Sequence, residues 1–325
     1  MTITPVNTAS DDRTVDPSLI VRDAPARPPL PSPTALVPET SNSTTGHVAI
    51  GNQQLRVDVR AGTGTGTPLL MCGGIGASFE VLQPLVDALD PGIDIIRFDV
   101  PGVGGSPVAA LPHTFPQLAR MLDRLLDELG YHRVDVLGFS WGGALAQQFA
   151  VQHAGRCRRL VLISTNTGGL SVPGGPSVYA EMVTPHGFGD YVAAMAGSVH
   201  GRDARARADD VRRLFRNTLA GSGLGYLYQL AAAASWSSLP FLKRIRQPVL
   251  VMGGDDDPIV PVANARILAN LIPNATLHVF PGGHLDYDAP RRSTLEDVDT
   301  ETLDALTAAA QTAARSPDVD LCPRW

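Results

Sequence analysis

The chain has 325 residues, enough for one large domain or two ordinary ones, and 44% of them are apolar, which supplies a substantial core. A formal charge of -6 and a pI near 5.7 argue against a nucleic-acid partner, because binders of the phosphate backbone carry a concentrated basic face. The three cysteines, Cys72, Cys157 and Cys322, are odd in number and show neither a CxxC nor a Cys/His spacing, so they predict free thiols in a reducing compartment rather than a disulfide framework or a metal site.

The N-terminus, Met1-Thr2-Ile3-Thr4-Pro5, carries no basic segment followed by an apolar one, and no run reaches the roughly 18 apolar residues that span a bilayer. The expectation is a cytoplasmic protein with no transmembrane segment. Residues 1–45 are rich in Pro, Ser, Thr and Asp, centred on Ala24-Pro25-Ala26-Arg27-Pro28-Pro29-Leu30-Pro31, and predict a disordered extension.

From residue 47 short apolar strands alternate with amphipathic helices, the pattern of a mostly parallel sheet with helices on both faces. Strands are predicted at Leu55 to Val59, Pro68 to Cys72, Ile93 to Phe98, Val134 to Phe139, Arg159 to Ser164, Pro248 to Met252 and Ala275 to Phe280. Thr114 opens a helix whose Leu118, Met121, Leu122, Leu125, Leu126 and Leu129 share one stripe before Gly130 ends it. The α/β core is read over 46–167 and 243–314. It is interrupted by a helical cap insert over 168–242, with an arginine-rich helix near Arg205 to Arg216 read as a solvated face. For Tyr226, Tyr228 and Trp236 in the insert, packing and the lining of an acyl pocket stand even. A last helix carries a capping box at Ser293 and Glu296, and residues 315–325 form a tail.

Gly138-Phe139-Ser140-Trp141-Gly142-Gly143 lies between the apolar run ending at Leu137 and the helix-forming run Ala144 to Phe149. A strand turning abruptly into a helix needs glycine at both flanks, and it lifts the serine hydroxyl above the sheet. Ser140 is therefore the candidate nucleophile, and the Trp141 backbone N–H, at the positive end of the helix, one oxyanion donor. The second donor is assigned to Ile75 in Gly73-Gly74-Ile75-Gly76, with Gly74 as the neighbouring alternative. A serine hydroxyl is un-ionised at neutral pH, so it needs a base, and the base needs a carboxylate to hold its tautomer. His284 follows the last strand in Gly282-Gly283-His284. Asp255, Asp256 and Asp257 all follow the strand Val249 to Met252; the loop spacing favours Asp257 over Asp256, with Asp255 and Asp256 as turn residues. The chain order Ser, Asp, His is that of the α/β-hydrolase fold. Asp99, in Asp99-Val100-Pro101-Gly102-Val103-Gly104-Gly105-Ser106, is read as shaping its loop. No dinucleotide or nucleotide cradle is present in the sequence, and the triad needs no cofactor and no metal.

These segments carry a resemblance. Gly74-Ile75-Gly76-Ala77, Phe98 to Ser106, Ser140 to Ala150 and Asp255-Asp256-Asp257-Pro258-Ile259-Val260-Pro261 are similar to the intracellular medium-chain-length polyhydroxyalkanoate depolymerases, a branch of the α/β-hydrolases, over about residues 47–288. The resemblance implies Ser140 as nucleophile, Asp257 as acid and His284 as base. It also implies hydrolysis of polyesters of 3-hydroxy fatty acids or their oligomers, with an apolar acyl pocket and docking on a polyester granule. Polyester synthases of similar fold use cysteine at the nucleophile position, so serine at 140 points to degradation. The alternatives are an esterase or perhydrolase acting on small soluble esters, and a non-catalytic granule-binding or ligand-sensing protein on the same scaffold.

Overall fold

The computed structural model describes residues 36–40, 43–63, 66–176, 180 and 222–284. The Pro-rich run, Arg205 to Arg216, the predicted last helix with its capping box and the tail over 315–325 lie outside them. The strands are β1 (Leu36–Thr40), β2 (Ser43–Ile50), β3 (Gln53–Arg60), β4 (Leu69–Cys72), β5 (Ile95–Phe98), β6 (Val134–Phe139), β7 (Cys157–Ile163), β8 (Val249–Gly254) and β9 (Ala275–Phe280). The helices are α1 (Gln83–Ala88), α2 (Phe115–Glu128), α3 (Trp141–Gln152), α4 (Gly223–Ala234) and α5 (Ala263–Leu271).

All nine strands form one sheet in the order β1-β2-β3-β5-β4-β6-β7-β8-β9. Strands β5, β4, β6, β7, β8 and β9 run parallel, while β1, β2 and β3 form an antiparallel flank that joins through β3 and β5. The central strand β6 is buried along its whole length, as befits a parallel strand covered on both faces. Alternate residues of β4 feed two cores: Leu69 and Met71 pack with α1, while Leu70 and Cys72 pack with α2 and α3.

Seven of these strands match the predicted ones to within a few residues. The extension does not run to residue 45, because Leu36–Thr40 and Ser43–Ile50 pair as strands. Strand β2, inside β1 on the antiparallel flank, reads as STTGHVAI with no clean alternation, which hides it in sequence; the Gly51-Asn52 turn, with Gly51 at φ 64°, closes the hairpin to β3.

Helix α2 begins and ends as its sequence specifies. Gln117 Oε1 accepts the Thr114 N–H at 2.8 Å. At the other end Gly130 adopts φ 74°, and the N–H groups of Gly130 and Tyr131 bond Asp127 and Leu126 carbonyls at 3.0 and 2.8 Å. Among the described residues no helix is long and apolar enough to cross a membrane.

Candidate active site

The loops that follow β4, β5, β6, β8 and β9 leave the carboxyl ends of the parallel strands, where open α/β sheets gather their ligands. Ser140 sits between β6 and α3 at φ 53°, ψ -118°, a conformation that costs a non-glycine residue about 1–3 kcal/mol. The neighbouring glycines make that turn possible. A Cβ on Gly142 would lie 2.2 Å from the Cys72 carbonyl oxygen, and one on Gly138 would meet Gly142 and Ala146 inside 2.8 Å. The strained turn is held by the Ser140 N–H on the Ile163 carbonyl at 2.9 Å and by Thr165 Oγ1, which donates to the Ser140 carbonyl at 2.7 Å.

His284 Nε2 stands 3.0 Å from Ser140 Oγ, and its Nδ1 stands 2.7 Å from Asp257 Oδ2. The other oxygen of Asp257 accepts the N–H groups of Ile259 and Val260 at 2.9 and 2.8 Å, which fixes the carboxylate plane. Asp257 and His284 are both buried, and the His284 ring lies 5.2 Å from that of Phe139. Asp255 and Asp256 are exposed. Asp255 turns its carboxylate to the Gly282 N–H at 2.9 Å, and the Asp256 N–H bonds the Gly282 carbonyl at 3.0 Å. The sequence therefore brings Ser140, Asp257 and His284 together, and uses the two preceding aspartates to brace the histidine loop.

Ile75 is buried in the loop after β4. Among the described residues neither the Gly74 nor the Ile75 N–H donates to a protein acceptor. The Trp141 N–H is the first of α3, so it has no acceptor within the helix. The next N–H, that of Gly76, is taken by Gln229 Oε1 from α4 at 2.7 Å, and the Trp141 indole donates to the Gln229 carbonyl at 2.9 Å. Thr165 and Gln229 were not singled out in the sequence; the one signal for Gln229 is a lone amide inside the apolar stretch Tyr226 to Ala234.

Asp99 lies fully inside, where its carboxylate accepts the Phe79 and Gly105 N–H groups, each at 2.9 Å, and faces Arg56 at 3.3 Å. Burial holds its carboxyl above the ordinary value, against the opposing pull of those donors and of Arg56. It closes its loop and has no part in the relay.

A small cavity is lined by Val100, Pro101, Leu118, Trp141, Tyr228 and Gln229 among others. Tyr228 thus faces a cavity, whereas Tyr226 and Trp236 are buried packing residues. Trp236 and Trp141 flank Phe115 at 4.9 and 4.8 Å between ring centroids, and the Trp236 indole donates to Gln148 at 2.8 Å. Among the described residues no group of three His, Cys, Asp or Glu side chains is disposed to hold a metal ion.

The α/β hydrolase fold family matches residues 67–289. A poly(3-hydroxyalkanoate) depolymerase from Ectopseudomonas oleovorans is 44% identical over 240 residues, which are 73% of this chain and 85% of that protein. A 2-hydroxy-6-oxononadienedioate/2-hydroxy-6-oxononatrienedioate hydrolase from Cupriavidus pinatubonensis is 30% identical over 260 residues, 71% of this chain and 84% of its own. Among solved structures, the enol-lactonase from Burkholderia xenovorans LB400 superposes with a TM-score of 0.67 at 23% identity, covering 82% of this chain and 98% of that one. The chain belongs to the α/β-hydrolase fold family and, within it, to the branch that contains the Ectopseudomonas depolymerase.

Proposed function

We propose that the protein is a serine ester hydrolase that cleaves poly(3-hydroxyalkanoate) polyester or its oligomers. The observation that carries this reading is the unbroken hydrogen-bond relay from Asp257 through His284 to Ser140, on a chain 44% identical to a depolymerase of that polymer. Ser140 Oγ attacks the ester carbonyl carbon while His284 Nε2 takes the hydroxyl proton, and Asp257 stabilises the imidazolium that results. The carbonyl oxygen becomes an oxyanion, received by the N–H groups of Ile75 and Trp141. Collapse breaks the ester C–O bond, His284 returns its proton to the departing hydroxyl end of the chain, and an acyl group remains on Ser140. Water, deprotonated by His284, then releases the acid and restores the serine. The reaction consumes only water and takes no cofactor.

In this reading the bulk substrate is the surface of a cytoplasmic polyester granule, and α4, between β7 and β8, lies over the loops after β4 and β6. The likeness of Ser140 to Ala150 and of Asp255 to Pro261 to the medium-chain-length depolymerases supports medium-length monomers. The test is product analysis after incubation with purified short-chain and medium-chain granules. Free 3-hydroxy acids or their short oligomers are expected from the medium-chain granules, and Ser140→Ala should lose roughly a thousandfold or more of the turnover while staying folded. Hydrolysis of short soluble esters with none of either polymer would transfer the protein to the small-ester reading. Retained turnover in Ser140→Ala would remove the serine mechanism.

A further inference from the structure

Gln229 occupies a position that the hydrolytic scheme does not use. It lies on α4, in the segment inserted between β7 and β8, yet it is buried against the two loops that supply the oxyanion donors. Its side-chain oxygen accepts the Gly76 N–H at 2.7 Å, one residue beyond Ile75. A backbone N–H can only donate, so this contact fixes which end of the amide is oxygen. Its main-chain carbonyl accepts the Trp141 indole N–H at 2.9 Å. One residue of the insert thus grips both segments of the oxyanion hole.

The loop after β4 is buried but has few other hydrogen bonds to fix its N–H groups. Among the described residues, the one hydrogen bond within Gly73 to Ala77 is the long one from Ala77 N–H to the Gly74 carbonyl at 3.4 Å, and Gly76 sits at φ 66°. A donor that contributes to catalysis must point at the oxyanion before charge develops, because reorienting it during the reaction forfeits the gain. Helix α4 is itself seated firmly: the Ser222 N–H bonds the Gly102 carbonyl at 3.1 Å, and a Cβ on Gly225 would lie 2.2 Å from that same oxygen.

We infer that Gln229 is a positioning residue that aims the Ile75 and Trp141 N–H groups, so that the oxyanion hole is assembled only while α4 is seated. This rests on the serine-hydrolase reading above. Stabilisation of the tetrahedral intermediate then depends on a contact made from the insert.

The test uses Gln229→Met in the full chain, which keeps the side-chain length and removes the acceptor. Turnover of a soluble 4-nitrophenyl ester is measured per active site, the sites being counted by the final extent of fluorophosphonate labelling. We expect kcat per site to fall about tenfold to a hundredfold with KM within about twofold. The inhibition constant of a trifluoromethyl ketone, whose adduct carries the oxyanion, should rise in step with the loss in kcat/KM. A merely structural role would lower the number of labelled sites or the melting temperature and leave turnover per site intact. Wild-type kcat per site would overturn the inference, and so would a raised KM with unchanged kcat. Should Gln229→Met yield no labelled sites, Gln229→Asn, whose shorter side chain withdraws the acceptor from the Gly76 N–H while remaining an amide, takes its place with the same quantities read and the same outcomes deciding. Failure of the underlying reading would look different, because the wild-type protein itself would then take up no fluorophosphonate.

Discussion

Three aspartates in a row stand after β8, and their surroundings divide the work among them. Asp257 is enclosed and has one oxygen saturated by two N–H groups, leaving the other for His284. A buried carboxylate is tolerated only when so paired, and in the proposed mechanism that pairing stabilises the imidazolium. Asp257→Asn should therefore lower turnover by about ten-thousandfold, since the amide can turn its NH2 toward the ring and impose the wrong tautomer. Asp256→Asn, at an exposed side chain, should stay within about twofold. Steady-state kinetics of both variants on one ester decide the assignment; equal losses would refute it. Ser140, Asp257 and His284 were legible because each follows a strand with glycine or turn residues beside it. Thr165 and Gln229 were not, because their contacts reach Ser140 and Gly76 from other parts of the chain and leave no local pattern.

At the level of elements, patterned segments were read well and edges poorly. The stripe on α2 and its Gly130 stop are local signals, so sequence alone locates them. Strand β2 gains its stability from pairing with β3 rather than from a buried alternating face, and the insert has no period that would reveal what it rests on. The end of α3 offers a test. His153, the residue after its last turn, stacks on Phe149 at 5.3 Å, and burial depresses its pKa below the ordinary 6.5. Asp123 and Asp127 oppose that depression, while Arg156 and Arg120 add to it. The folded protein thus binds this proton less readily than the unfolded chain. Stability is full above pH 6.5 and is lost as pH falls from there through the depressed folded value. His113, also depressed by burial, acts in the same sense. Melting curves should show a lower midpoint at pH 5.5 than at 7.5, with a smaller difference in the His113→Gln, His153→Gln double variant. An unchanged difference would discount both histidines.

Over the whole molecule, the sheet separates two apolar layers, and ionic contacts sew the antiparallel flank to it. Arg97 on β5 meets Asp58 on β3 at 2.6 Å, and Thr45 on β2 donates to the same carboxylate at 2.8 Å. Cys72 and Cys157 are sealed within the parallel part, where burial pushes both thiols far above their ordinary range. Since the thiolate is the reacting form, a thiol reagent should leave both unmodified in the native protein and label both in denaturant, as read by peptide mass spectrometry. Rapid native labelling of either would mean that the sheet opens readily. The insert touches the relay loops at both ends: the Gly175 N–H bonds the Pro258 carbonyl at 3.1 Å beside Asp257, and α4 grips Gly76.

The bracing of Gly282 by Asp255 and Asp256 reaches beyond catalysis. A Cβ on Gly254 would fall 2.3 Å from the Gly282 oxygen, so the segments after β8 and β9 are fitted to each other with no slack. They form a matched cassette. Anyone recombining this scaffold with a homologue must move both segments from the same parent, because a crossover between residues 258 and 281 would join halves cut to different templates.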